Sequence, residues 1–439
     1  MTPAPSTVTQ LTNRLLKNPR VRYYWAPAPG YELSSWIVDE LLVSKDVDPA
    51  VRKELGKAGW KKATSVLAPG PGMPKAKPHV VDVEVWKPSN KYYVAVEALL
   101  AHLASIFPEP PKVSPNHLLV PCVNRGCYCP GGPPKPVAFP ADCDEDIREY
   151  SAPKYPTKVA VIDTGYIRHP ALDARTGKGG FVAVQGDVLN RAGTWVKSKR
   201  DGLYRSNGRL QLLDGHGTFT AGVIAERCPH AQITLVGIRA IESAATEAAV
   251  LRAVCRHADA DVIMPVFAFH SLLQMKNWTF PNILRQLAPE SVLVCPAGNE
   301  SSPAPHYPAA LPWPDYPVIG VGSFVPLGRT GVPNLSEFSN YGSWVRVYTG
   351  GEEVVGPYLS VAGVRVEDGD GKRQTFNGWA EWYGTSFATP KVAAAILNRK
   401  AGGGARDAAN ALMALGSPEL LGSAAAAGLS GLDLRLHAQ

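Results

Sequence analysis

Four short segments of this 439-residue chain set chemically capable side chains beside glycine. Asp163-Thr164-Gly165 follows the apolar run VAVI, and Asp214-Gly215-His216-Gly217-Thr218 precedes a stretch of small residues. Pro296-Ala297-Gly298-Asn299 follows VLVC, and Gly384-Thr385-Ser386 opens the run FATPKVAAAILN. A serine hydroxyl is a weak nucleophile at neutral pH and needs a base within hydrogen-bond reach. His216 can be that base, and its flanking glycines let a turn bring the imidazole close. The imidazole must keep one tautomer and tolerate a positive charge, which a fixed carboxylate such as Asp163 provides. Ser386 at a helix start has backbone N–H groups beside it that can receive an oxyanion. Asn299 offers a side-chain amide as a second donor. Together these residues could perform nucleophilic acyl transfer.

Each segment alone has an ordinary reading. Asp-Thr-Gly is a common turn that aspartic proteases share, Ser and Thr before a helix are mostly caps, and Gly-Asn is mostly a turn. Their joint weight comes from the elements that carry them. From Lys158 onward, continuous apolar runs at Val159 to Ile162, Ile233 to Gly237, Val262 to Phe267, Val292 to Cys295 and Val318 to Val321 read as buried strands. Helical stretches, notably Thr246 to Ala258, lie between several of them. The pattern predicts a doubly wound α/β fold over residues 157–400, with a parallel sheet covered on both faces. Such sheets carry their sites at the carboxyl ends of the strands, where Asp163 and Asn299 stand.

Residues 1–120 read differently. Glu40 to Ser44 is a short strand, Pro49 to Thr64 a helix with proline just inside its start, and Val80 to Trp86 a half-buried strand of alternating pattern. Tyr92 to Ile106 is apolar at helical spacing, and His117 to Val120 returns to a strand. This order suits a small α+β unit of the ferredoxin-like kind. Residues 121–156 form a linker in which Pro130, Pro133, Pro134, Pro136 and Pro140 oppose helix and central strand alike. Its Cys122, Cys127, Cys129 and Cys143 are either reduced thiols or a zinc site, although Cys127-x-Cys129 is tighter than the usual zinc knuckle. Residues 401–439, rich in Ala, Gly and Leu, read as one or two small helices with a flexible stretch near Gly402 to Gly404.

Composition limits the function classes. Hydrophobic residues at 45% and charged residues at 19% exclude a disordered polyelectrolyte. Proline, at 40 residues, is nearly twice the average usage of about 5%, so turns and edges are numerous. A net charge of +7 is small for this length, and no nucleic-acid-binding pattern accompanies it. The densest basic run, Arg191 to Arg209, reads as a solvated loop or as an anion-attracting site. No signal peptide and no apolar run of membrane-spanning length is visible. Seven cysteines, an odd count, fit a reducing compartment, so a cytoplasmic location is expected.

With the motifs in hand, the chain resembles the subtilisin-like serine peptidases. The matching segments are VAVIDTG around Asp163, GHGTFTAGVIA around His216, PAGN at Asn299 and GTSFATP around Ser386. YPVIGVGS (Tyr316 to Ser323) and EFSNYG (Glu337 to Gly342) match as well, and the likeness spans about Lys158 to Arg399. The resemblance implies a serine endopeptidase without a cofactor or metal, acting on peptide or protein substrates through an acyl-enzyme. Asp163, His216 and Ser386 would form the triad and Asn299 the oxyanion hole. Val266, Phe267, Ala268, Ala297 and Gly298 would bind substrate. One segment departs from the family: Met264-Pro265-Val266-Phe267-Ala268 stands where an Asn-x-Ser-x-Gly stretch is usual. Pro265 removes an N–H donor, and Ala268 narrows the first specificity pocket. That departure and the large N-terminal part imply a processing protease; a catalytically silent peptide-binding module is the alternative. The N-terminal unit would be a propeptide-like intramolecular inhibitor or an adaptor.

Overall fold

The computed structural model describes residues 17–25, 33–66, 82–121, 133–137, 156–176, 180–185, 187–189, 195–197, 205–206, 209–211, 213–238, 244–271, 277–285, 287–325, 334–366, 371–400 and 404–414. The linker cysteines Cys122, Cys127, Cys129 and Cys143, most of the Arg191 to Arg209 run and the tail beyond 414 lie outside the described residues.

The N-terminal part contains β1 (Val21–Trp25), β2 (Leu33–Ser44), α1 (Pro49–Lys57), β3 (Trp60–Ser65), β4 (Val83–Pro88), α2 (Val96–Ile106) and β5 (Val113–Pro121). Its antiparallel sheet runs β5-β2-β4-β3, with β1 also on β2. The helix expected over Pro49 to Thr64 is therefore shorter than its pattern suggested. It stops at Lys57 because Gly59 takes a left-handed φ of 85°, where a Cβ would meet the Tyr92 carbonyl at 2.7 Å. The chain then turns into β3, a strand absent from the sequence reading. α2 is also shorter than expected, starting at Val96.

Both faces of this sheet are covered. Leu41, Val43 and Trp86 pack with Val51, Leu55, Leu99 and Leu103 of the two helices. Leu42, Val83 and Val85, on the opposite face, join the main core of the following unit. Of the half-buried strand expected at Val80 to Trp86, the residues Val83 to Trp86 are thus buried on both sides. Glu84 is tolerated inside because Arg52 and Lys62 pair with it at 2.7 and 2.8 Å and Trp86 Nε1 donates to it at 3.0 Å. Burial raises its pKa, but those three partners outweigh it and hold the carboxyl below the usual glutamate range.

The second unit is built on a parallel sheet. β6 (Lys135–Pro136) lies at a sheet edge, as its proline requires. The chain continues through β7 (Lys158–Asp163), α3 (Pro170–Thr176), β8 (Phe181–Gln185), α4 (His216–Arg227), β9 (Gln232–Gly237), β10 (Ala245–Thr246) and α5 (Glu247–Arg256). β11 (Val262–Pro265), β12 (Phe267–Ala268), α6 (Thr279–Leu284), β13 (Val292–Pro296), β14 (Val318–Val325) and β15 (Val347–Gly350) follow. β16 (Val354–Val366), β17 (Arg373–Trp382), α7 (Thr385–Arg399) and α8 (Ala405–Ala414) complete the described chain. The sheet order β14-β13-β11-β7-β9-β8 is parallel throughout, with β15 parallel on β14. Val159 to Ile162, Ile233, Leu235, Val262, Ile263 and Val292 to Val294 are all buried in it. The chain leaves β7 for the edge, returns at β9 beside it, and then crosses to β11 on the other side. That reversal opens a crevice at the carboxyl ends of the central strands. The run expected as one strand from Val262 to Phe267 divides after Pro265, which cannot donate to a ladder. The long antiparallel hairpin β16–β17 was not anticipated. α8 buries Ala405, Ala408, Ala409 and Leu412. Among the described residues, no helix is long and apolar enough to cross a membrane.

The two units share an interface rather than a loose tether. Asn116 on β5 accepts the Ala248 N–H at the start of α5, and His117 Nδ1 meets Glu247 Oε2 at 2.6 Å. Arg252 donates to the Val66 carbonyl at 3.0 Å. We expect Glu84→Gln to destabilise the protein by about 2 kcal/mol, because two cations lose their buried counter-charge. Urea unfolding at pH 7 measures this, and an unchanged midpoint would contradict it.

Candidate active site

Asp163 is the last residue of β7, and His216 is the first of α4. Gly215, the N-cap, has a φ of 82°, and a Cβ there would meet Tyr358 at 2.5 Å. Only glycine lets the chain enter α4 at this angle. Gly217 packs so closely on β7 that an added Cβ would lie 2.5 Å from the Gly165 carbonyl. These two approaches press the imidazole against the strand end. His216 Nδ1 lies 2.8 and 2.9 Å from the two oxygens of Asp163, with both side chains fully buried.

A carboxylate without solvent needs compensation. Asp163 also accepts from the Thr164 N–H at 2.5 Å and from the Thr220 hydroxyl at 2.7 Å. Burial raises its pKa, but the His216 charge and these hydrogen bonds outweigh it and hold the carboxyl below the usual aspartate range. Because a carboxylate only accepts, Nδ1 carries the proton, and Nε2 is the nitrogen left to act as a base. Among the described residues Nε2 makes no hydrogen bond, so it is not engaged with the Ser386 hydroxyl in this state.

Ser386 is the second residue of α7, between two neighbours that tie it to the other groups. Phe387 lies against the His216 ring, with centroids 5.1 Å apart, and Trp382 meets the same ring edge-on at 5.5 Å. Thr385 donates both its N–H and its hydroxyl to Asn299 Oδ1, each at 2.9 Å. That fixes the Asn299 amide, whose oxygen is occupied and whose NH₂ is the donor end. Pro390, four residues after Ser386, has no N–H to give the Ser386 carbonyl.

Ala297 and Gly298 link this group to β13. The Gly298 N–H donates to the Thr385 hydroxyl at 3.2 Å, and Gly298 has a φ of 107°. An added Cβ there would lie 2.3 Å from both Asn340 Nδ2 and His306 Nδ1. Val266, Phe267 and Ala268 are buried. Phe267 and Ala268 pair antiparallel with Pro121 and Val120 of β5, and Ala245 and Thr246 of β10 pair with Leu119 and Leu118. The last residues of β5 are therefore a middle strand between β10 and β12.

Sequence reasoning missed Thr220, Thr385 and Trp382. Thr220 was accessible to it, standing one helical turn after His216, where residues i and i+4 share a face. Trp382 ends a strand far along the chain, with no local signal.

The chain belongs to the subtilase family, whose family model matches residues 156–403, more than half of the sequence. It is thus a member of a serine-peptidase family with a subtilisin-like α/β fold. Solved structures share that fold at low identity. A cold-adapted subtilisin-like serine proteinase is 21% identical, with 60% of this chain and 82% of the other covered and a TM-score of 0.43. A lanthipeptide protease is 20% identical, covering 59% and 80%, at 0.42. Fervidolysin from Fervidobacterium pennivorans, a keratinolytic enzyme related to subtilisin, is 18% identical, covering 85% of this chain and 55% of the other, at 0.52. A comparison with curated proteins finds no match.

The Asp163 carboxylate is stabilised only in the fold, so its contribution to stability has a sign and a pH window. It is present in full above the unfolded pKa of about 3.9 and is lost as pH falls through the lower folded value. In an inactive background, the stability gap between the parent and Asp163→Asn is expected to be widest above pH 4 and to shrink in stronger acid. Guanidinium unfolding at pH 7 and pH 3 measures it, and a gap of constant size would contradict the assignment.

Proposed function

We propose that this protein is a serine endopeptidase that its own N-terminal unit holds latent. The observation that carries the catalytic reading is the fully buried Asp163–His216 pair packed beside the start of the Ser386 helix. In the reaction, the Ser386 hydroxyl adds to the scissile carbonyl while its proton passes to His216 Nε2. The imidazolium gains its stabilisation from Asp163, which stays ionised. The negative oxygen of the tetrahedral intermediate accepts from the Asn299 NH₂ and the Ser386 backbone N–H. His216 then protonates the departing amine, and water, activated by the same nitrogen, releases the acyl group. No cofactor enters these steps.

Latency rests on a different observation. Substrate-binding residues Phe267 and Ala268 are paired with the chain's own β5, and Ser386 and His216 have no exposed surface. An extended peptide added between two strands gains main-chain hydrogen bonds on both sides, and β5 already holds that position. The N-terminal unit, whose elements from β2 to β5 run βαββαβ in the ferredoxin-like manner, thus acts as a propeptide-like inhibitor. The fervidolysin likeness, covering 85% of the chain, must include part of this unit, which supports it as an element of the shared fold.

An active-serine phosphonylating probe and intact mass test both halves together. Parent protein is expected to take up the probe and to cut itself between Pro121 and Tyr155, whereas Ser386→Ala does neither. Asn299→Ala is expected to lose about 10²–10³ in turnover, the cost of such a donor in a subtilisin. Labelling that persists in Ser386→Ala would refute the nucleophile. A parent that labels but never cuts itself would refute the propeptide role and favour an adaptor.

We infer a narrow first specificity pocket, because Ala268 carries a methyl where the family usually has a glycine that keeps this pocket open. A processing role on substrates with a small residue before the scissile bond follows. Peptide-library profiling of the matured enzyme tests it; a preference for large aromatic residues there would reject it.

A further inference from the structure

We propose that Glu247 is the floor of a substrate subsite that selects a histidine side chain upstream of the scissile bond. This subsite belongs to the peptidase reading above and rests on it, with β5 standing in for an extended substrate. Leu118 and Leu119 of β5 lie opposite Thr246 and Ala245, and Val120 and Pro121 opposite Ala268 and Phe267. His117 is the next residue upstream, so its side chain shows what the outer end of the cleft receives. A cut just after Pro121 would make it the fifth residue before the bond.

His117 enters a seat built by the second unit. Its ring stacks on Phe269, with centroids 4.5 Å apart and planes 29° from parallel. Its Nδ1 lies 2.6 Å from Glu247 Oε2, and the two side chains are 2% and 0% exposed. A carboxylate only accepts, so Nδ1 donates. The other oxygen of Glu247 accepts from the Thr279 hydroxyl and from Asn277 Nδ2. Asn277 is itself held, accepting from the Phe280 N–H at 3.3 Å and donating to the Thr279 hydroxyl at 3.1 Å. Those donors belong to the second unit and stay when β5 leaves. Oε2 differs: among the described residues its hydrogen-bond partner is His117.

Release of the N-terminal unit therefore leaves Oε2 to water until a substrate covers it. Glu247 stands in the first turn of α5, where the helix dipole favours its negative charge. A substrate side chain that covers this oxygen without donating to it strands a charge away from water. Leucine and phenylalanine fill the seat on those terms, and lysine donates but has no ring to lay on Phe269. An imidazole supplies both the flat face and the N–H. Sites built to hydrogen-bond a substrate group discriminate strongly against analogues that lack it.

Occupancy of the cleft can be read without a known substrate. Full-length protein is left to mature, and its labelling by an active-serine phosphonylating probe is timed against a peptide of residues 113–121. VSPNHLLVP is expected to protect the serine. Versions carrying His117→Leu, His117→Phe or His117→Lys are expected to protect about 10-fold less well. In Glu247→Gln, which keeps size and the Thr279 contact, the His and Leu peptides are expected to differ by no more than about threefold. A thermal melt checks that this variant folds, and the peptide series on the parent stands without it. Equal protection by all four peptides, or a histidine preference undiminished in Glu247→Gln, would overturn the subsite while the labelling itself upholds the peptidase. No labelling at all would instead refute the peptidase reading, and the subsite with it.

Discussion

A carboxylate without any contact with water, Asp163, is the constraint on which the rest of the second unit depends. Burying such a group costs several kcal/mol unless every lone pair finds a donor. The donors come from three places: the ring of His216, the next peptide N–H at Thr164, and the Thr220 hydroxyl one turn along α4. Supplying them requires α4 to start hard against the end of β7. That closeness in turn requires glycine at 215 and 217, where a methyl would strike Tyr358 or the Gly165 carbonyl. The strand end, the helix entry and the aromatic wall of Trp382 and Phe387 are therefore parts of one arrangement.

The N-terminal unit extends the same economy of surface. Its sheet gives one face to its own two helices and the other to the core of the parallel-sheet unit, so neither unit presents a complete surface without the other. Asn116 and His117 reach across to the first turn of α5, satisfying an N–H that the helix cannot use internally. The strand that supplies them, β5, then runs on between β10 and β12. The contacts to α5 and the pairing with β10 and β12 thus come from consecutive stretches of one strand.

Much of this was legible residue by residue. The apolar runs ending in Asp163 and Pro296 named the central strands, because a strand buried on both faces has no polar alternation to confuse it. The order of Asp163, His216, Asn299 and Ser386, each within two residues of a glycine, set the expectation of a site before any geometry. Less was legible where burial overrode pattern. Glu84 reads as a solvent-facing position in an alternating strand, yet Arg52 and Lys62 from other elements neutralise it inside. Trp60 to Ser65 continued an apparent helix until a left-handed Gly59 turned the chain, and the hairpin β16–β17 had no short-range signature at all.

Sequence alone determined the chemistry and the core: which side chains can attack, relay a proton or donate to an oxyanion, and which runs must be buried. Those properties are carried by residue type and local spacing, so they survive without coordinates. Tertiary structure decided what lies against what. The pairing of β5 with Phe267 and Ala268 and the stack of His117 on Phe269 arise from segments distant in the chain meeting edge to edge. Neither is encoded in any local period, because hydrogen-bond register between remote segments is settled only when the whole sheet closes.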